Sequence, residues 1–206
     1  MNRYSDLSEN ARDILREISN IGTGNATSSL AGMVGRQIEL DLPQIRILEY
    51  RDVPGLLGGA EELKAGILLD ISGDLNGMFL FLLDEPLALT LIRLLLGEAP
   101  EGFGGFGEME RSALCEIGNI MCCSYLNAMA KMMGFSIQVS VPDLCCDMTG
   151  AILSVPMIHF ANLSDELLFM ENRFGIDGGT LVSHVLFLPE MDSLNRIFHA
   201  LGETYE

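Results

Sequence analysis

Apolar side chains recur every three or four positions along residues 8–34 and again along 108–133. That spacing places one apolar stripe on an α-helix, so both stretches are expected to be long amphipathic helices. Ser8 and the acidic first turn after it supply N-terminal signals for the first. Residues 36–49, 65–72 and 76–84 read as strands, the last two joined through the turn residues GDLNG. Asp84, Pro86 and Gly97 then bracket a short helix, with proline near its start and glycine just past its end. After the second long helix, strands are expected near 135–142, 149–160, 165–174 and 180–188, and a helix near 190–201.

The two series are copies of one pattern. Shifting the chain by 99 positions lays Leu15 on Leu114, Glu17 on Glu116, Ile18 on Ile117, Asn20 on Asn119, Ile21 on Ile120 and Pro43 on Pro142. Further on the offset becomes 105, with Leu83 on Leu188, Leu89 on Leu194 and Ile92 on Ile197. Between the copies lies EAPEGFGGFGEME, whose Gly and Pro content marks a flexible connector. The expected organisation is one domain over 1–206 built from two repeats, about 8–97 and 108–202. The fold class is α+β: a tandem duplication of a helix–strands–helix unit, paired about a pseudo-twofold, with the long helices packed on an antiparallel sheet.

A helical wheel turns about 100° per residue. With Glu17 at zero, Asp13 and Asn20 share its side, while Ile21, Ile14, Ile18 and Leu15 make the buried stripe beside them. Ser112, Glu116 and Asn119 repeat those angles next to Ile120, Ala113, Ile117, Met121 and Leu114. Folding requires the stripe to recur, but it does not require a carboxylate and a carboxamide three residues apart at one angle in both copies. A surface or capping pair inherited by duplication is the plainer alternative.

Composition narrows the chemistry. The chain holds 12 Lys and Arg against 29 Asp and Glu, a formal charge of −17. Such a surface repels phosphate backbones and anionic lipid, so neither nucleic acid nor membrane is an expected partner. The N-terminal MNRYSDLSENARDIL has no continuous apolar core, and the uncharged stretch 117–130 is too short to cross a bilayer. Cys115, Cys122, Cys123, Cys145 and Cys146 include vicinal pairs that suit neither a disulfide framework nor a zinc site. They read as small buried hydrophobes in a reducing, cytoplasmic setting. GTGNATSSLAG, residues 22–32, lacks the ending of a phosphate-binding loop and reads as close helix packing. His159, His184 and His199 show no metal-ligand spacing and read as satisfied structural side chains.

No histidine or activated cysteine stands in sequence beside the repeated pair, so covalent catalysis is not expected. Asparagine both donates and accepts hydrogen bonds, which suits it to holding a water molecule. A carboxylate beside it could grip a lysine on a partner that already carries a metal. Phosphoryl transfer asks mainly for that: an aligned water and compensation of charge.

At these residues the chain resembles the CheC family of phosphatases. The family's motif is Asp or Ser, Glu four later, Asn three after that and Pro twenty-three further. It is met by Asp13, Glu17, Asn20 and Pro43 and again by Ser112, Glu116, Asn119 and Pro142. The resemblance spans essentially the whole chain. It implies hydrolysis of the aspartyl-phosphate of the chemotaxis response regulator CheY, Asn20 and Asn119 positioning the attacking water and Glu17 and Glu116 contacting the regulator's lysine. Asp13, Ser112, Pro43 and Pro142 would support the motif. Mg²⁺ would belong to the regulator, leaving this chain with no cofactor or metal of its own. CheD, a receptor deamidase, is implied as a second partner, and an interaction module that chiefly binds and regulates CheD is the alternative reading. Two motifs followed directly by the chain's end place it nearer CheC than the single-site, dimeric CheX or the longer FliY, so a monomer is expected.

Overall fold

The continuous apolar run GMFLFLL, residues 77–83, forms a strand buried along its whole length, which requires cover on both faces of the sheet. The computed structural model, describing residues 8–41, 44–160, 166–176 and 179–200, supplies that cover with helices on each side. The elements are α1 (Glu9–Val34), β1 (Glu39–Leu40), β2 (Gln44–Glu49), α2 (Val53–Leu56), β3 (Leu63–Gly73), β4 (Gly77–Leu83) and α3 (Glu85–Leu96). The second half repeats their order with α4 (Glu108–Met133), β5 (Ile137–Val139), β6 (Asp143–Met148), α5 (Thr149–Phe160), β7 (Glu166–Ile176), β8 (Gly179–Pro189) and α6 (Met191–Ala200).

The strands form an antiparallel sheet in the order β1-β7-β8-β4-β3-β5, with β2 also pairing β7 and β6 also pairing β3. At its centre Leu80 faces Leu186 and Phe81 faces Val185. Under the offset of 105 read from the sequence, each of these pairs is the image of the other, which places the pseudo-twofold between β4 and β8. The first strands of each half are exchanged: β1 and β2 complete the sheet on β7, while β5 and β6 complete it on β3.

Pleating divides the core in two. Phe79, Phe81 and Leu83 of β4, with Val185 and Phe187 of β8, face the layer of α1, α3, α4 and α6. Met78, Leu80 and Leu82, with Leu186 and Leu188, face Val53 of α2 and Ile152 and Leu153 of α5. Within the helical layer, α1 and α4 pack closely where the sequence placed small residues. A Cβ on Gly22 would stand 2.5 Å from Tyr125 Cδ1 and 2.9 Å from Tyr125 Cα, and Ala26 is fully buried. Because the obstruction includes backbone, Gly22→Ala should destabilise the chain by about 1–3 kcal/mol. A thermal melt followed by circular dichroism would read this; an unchanged midpoint would mean that the two helices can separate freely.

Several expected elements differ. Residues 149–160 form α5, not a strand: TGAILSVPMIHF is apolar on all sides, so periodicity does not separate helix from strand, and the Thr149 and Gly150 amides are anchored on the Glu62 and Ala60 carbonyls at 2.8 and 2.9 Å. The strand expected over 36–49 is divided into β1 and β2, and the one near 135–142 is shorter, with β6 following it. The connector is fastened rather than loose. Phe103 and Phe106 stack edge to face at 5.4 Å and pack against the core, and the Phe103 amide donates to Glu85 Oε1 at 3.0 Å. Two aromatic rings carry too much apolar surface to be left in water.

Candidate functional site

The stripe of Leu15 and Ile18 on α1, and of Leu114 and Ile117 on α4, is buried in the core, which fixes the rotation of both helices. Rotation then decides where the repeated polar pair points. Glu17 and Glu116 are exposed, Asn20 and Asn119 are half-buried at the edge of the stripe, and Asp13 and Ser112 are exposed one turn earlier. Ser19 and Gly118, which differ between the copies, turn the other way: Ser19 Oγ lies 3.2 Å from Met170 Sδ of β7, and Gly118 sits against Ile67 of β3. The difference between the copies is therefore buried beneath the helices and away from the exposed pair.

Among the described residues neither Glu17 nor Glu116 has an ion-pair or hydrogen-bond partner, so both carboxylates are free to meet a cation from outside. Asp13 differs, holding Arg16 Nη1 at 2.5 Å in an exposed pair that contributes little to stability. On α4 the same stretch is tied down instead. Arg111 Nη2 donates to the Leu144 carbonyl at 2.9 Å, and the Cys115 thiol reaches the Pro142 carbonyl at 3.9 Å. These contacts set the loop that carries Pro142 against α4, one turn before Asn119. Pro43 lies outside the described residues.

One contact has no counterpart in the sequence reading: Cys123 Sγ stands 3.5 Å from Asn119 Oδ1. Its signal was the four-residue separation on a helix, obscured by reading all five cysteines as buried hydrophobes. Only Cys122 is fully buried; Cys145 is exposed, because the pleat of β6 turns its neighbour Leu144 inward, and the other three are half-buried. Burial pushes the Cys123 thiol pKa up, and the Glu116 carboxylate adds to the rise.

The histidines correct the expectation only in part. His159 and His199 are exposed, whereas His184 is buried in β8 with Nδ1 lacking a hydrogen-bond partner and its ring 5.3 Å from Phe169. Burial lowers its pKa. Among the described residues no three His, Cys, Asp or Glu side chains gather in a metal-binding arrangement, and no helix is long and apolar enough to cross a membrane.

Comparison with known proteins places the chain among chemotaxis phosphatases of one family. The sequence model of the CheC-like family matches residues 109–145, which contain α4 and its motif. The chain is 32% identical to the CheY-P phosphatase CheC of Bacillus subtilis (strain 168), covering 98% of this chain and 99% of that one. It is 25% identical to the putative CheY-P phosphatase CheC1 of Halobacterium salinarum, over 63% of this chain and 66% of the relative. Among solved structures, FliY of Thermotoga maritima superposes with a TM-score of 0.75 at 20% identity, covering 96% of this chain and 98% of that one, a likeness of fold.

Proposed function

Because this chain belongs to the CheC-like family, we propose that it is a phosphatase for the aspartyl-phosphate of the response regulator CheY, working through α1 and α4. The observation that carries the reading is the outward placement of Glu17 with Asn20 and of Glu116 with Asn119, both carboxylates being unengaged among the described residues. In this reading each glutamate pairs with the lysine in the regulator's active site, which sets the helix against the phosphorylated aspartate. The neighbouring asparagine then reaches the phosphoryl group and holds a water in line with the bond to be broken. Mg²⁺ bound by the regulator spreads the charge that develops, so the helix supplies orientation and no metal of its own.

Mixing the purified chain with phosphorylated CheY and Mg²⁺ should speed phosphate release over that of CheY alone; release at the unassisted rate would reject the proposal. Reversing the charge at Glu17 and Glu116 together, both to Lys, should weaken binding of the phosphorylated regulator about tenfold or more, since a charge-assisted contact becomes a repulsion. Titration by calorimetry would measure it, and unaltered affinity would remove the glutamates from the interface.

A second reading is that the chain also docks CheD, for which the structure offers an apolar surface away from α1 and α4. Val155, Met157 and Ile158 of α5 are exposed, and the exposed Leu63 and Met148 face one another on the adjoining strands. Apolar side chains in such number suit a protein contact. CheD captured equally well by the wild-type chain and by Asn20→Ala/Asn119→Ala would support a contact separate from the two helices.

A further inference from the structure

The two asparagines are not held alike. One helical turn beyond Asn119 stands Cys123, whose Sγ is 3.5 Å from Asn119 Oδ1. At the offset of 99 the same position on α1 is Gly24, and among the described residues no side-chain hydrogen bond reaches Asn20. We propose that Cys123 is a positioning residue that orients the Asn119 carboxamide and makes the α4 site the pre-organised member of the pair. The inference rests on reading Asn119 as the group that holds the attacking water.

The chemistry of the contact selects one orientation. Burial, reinforced by the Glu116 carboxylate, keeps the sulfur protonated, so the thiol is a donor and draws the oxygen end of the carboxamide toward itself. This uses one of the two lone pairs of Oδ1. The other lone pair and both N–H groups of Asn119 remain for a water molecule and a phosphoryl oxygen. An unheld carboxamide, as at Asn20, must be ordered as the water attacks, and that ordering adds to the barrier of the chemical step. Cys115 assists from the opposite side, four residues before Asn119, by joining α4 to the Pro142 carbonyl at 3.9 Å. The corresponding residue on α1 is Arg16, which is engaged with Asp13.

The test isolates one site at a time. In the Asn20→Ala chain, turnover of phosphorylated CheY reports α4 alone. There, Cys123→Ala should lower kcat by about two- to fivefold, the worth of one weak hydrogen bond, with KM and the unfolding midpoint unchanged. Cys123→Ser, which restores a donor, should recover the rate. The reciprocal graft, Gly24→Cys in the Asn119→Ala chain, should raise kcat at α1 by a similar factor. There is room for it, since a Cβ at Gly24 meets no atom within 4 Å. Independently of activity, the side-chain amide resonances of Asn119 should move in Cys123→Ala.

Equal kcat in the parent and Cys123→Ala chains, or equal losses in Cys123→Ala and Cys123→Ser, would overturn the proposal. If the wild-type chain accelerates phosphate release but the Asn20→Ala chain does not, the proposal is overturned and the phosphatase reading stands; if the wild-type chain itself gives no acceleration, the phosphatase reading fails and with it the catalytic role of Cys123.

Discussion

Replacing Asn20 and Asn119 together by alanine is expected to abolish the acceleration of phosphate release from CheY, a fall on the order of a hundredfold or more, because an unaligned water reacts no faster at the protein than away from it. Each single variant should retain the turnover of its intact partner site. Neither change should harm the fold. Both asparagines sit at the outer edge of long helices whose apolar stripes are untouched, and alanine is the better helix former. Unfolding free energies should therefore stay within about 0.5 kcal/mol of the wild type. Loss of activity together with loss of fold would assign the asparagines to stability instead.

The second large effect lies at the sheet's centre. Phe81 is fully buried, faces Ile67 on one side and Val185 on the other, and thus joins a strand from each half. Phe81→Ala should destabilise the chain by about 3–5 kcal/mol, the cost of lost burial together with the cavity left behind. The exchanged strands make a further demand: β7 loses β1 and β2, and β3 loses β5 and β6, if the halves part. Denaturant unfolding should accordingly show one transition in which both halves are lost together. Circular dichroism is the suitable probe, since the chain has no tryptophan. Two separate transitions, with only one shifted by Phe81→Ala, would mean that the repeats are independent folding units.

The long helices were legible because their signal is local and strong: α1 and α4 fall within a residue of the expected starts, and their stripes are the buried ones. α3 was legible from its punctuation, with Gly97 ending the helix at φ +86 where a residue without Cβ fits. α5 was not, since a segment apolar on every side carries no period, and its helical state depends on the sheet face that it covers. The strand exchange is a non-local choice. Nothing in residues 39–49 says that their hydrogen bonds lie with β7 rather than β3; the duplication reveals that a pairing exists, but not which copy supplies each edge.

The candidate site was readable for a related reason. Duplication placed Glu17 with Asn20 and Glu116 with Asn119 at one wheel angle, and the burial of the stripes turned that angle outward. What separates the sites was hidden in residues that look like filler. Gly24 and Cys123 occupy matching positions, yet only coordinates bring the sulfur to 3.5 Å from the carboxamide of Asn119.

The most direct test of the account is a structure of the chain bound to CheY carrying beryllofluoride as a phosphate mimic. The account predicts that α1 or α4 enters the regulator's active site, with the Asn20 or Asn119 amide within hydrogen-bond distance of the mimic and Glu17 or Glu116 on the regulator's lysine. A regulator docked elsewhere, with both helix faces left open to solvent, would contradict it.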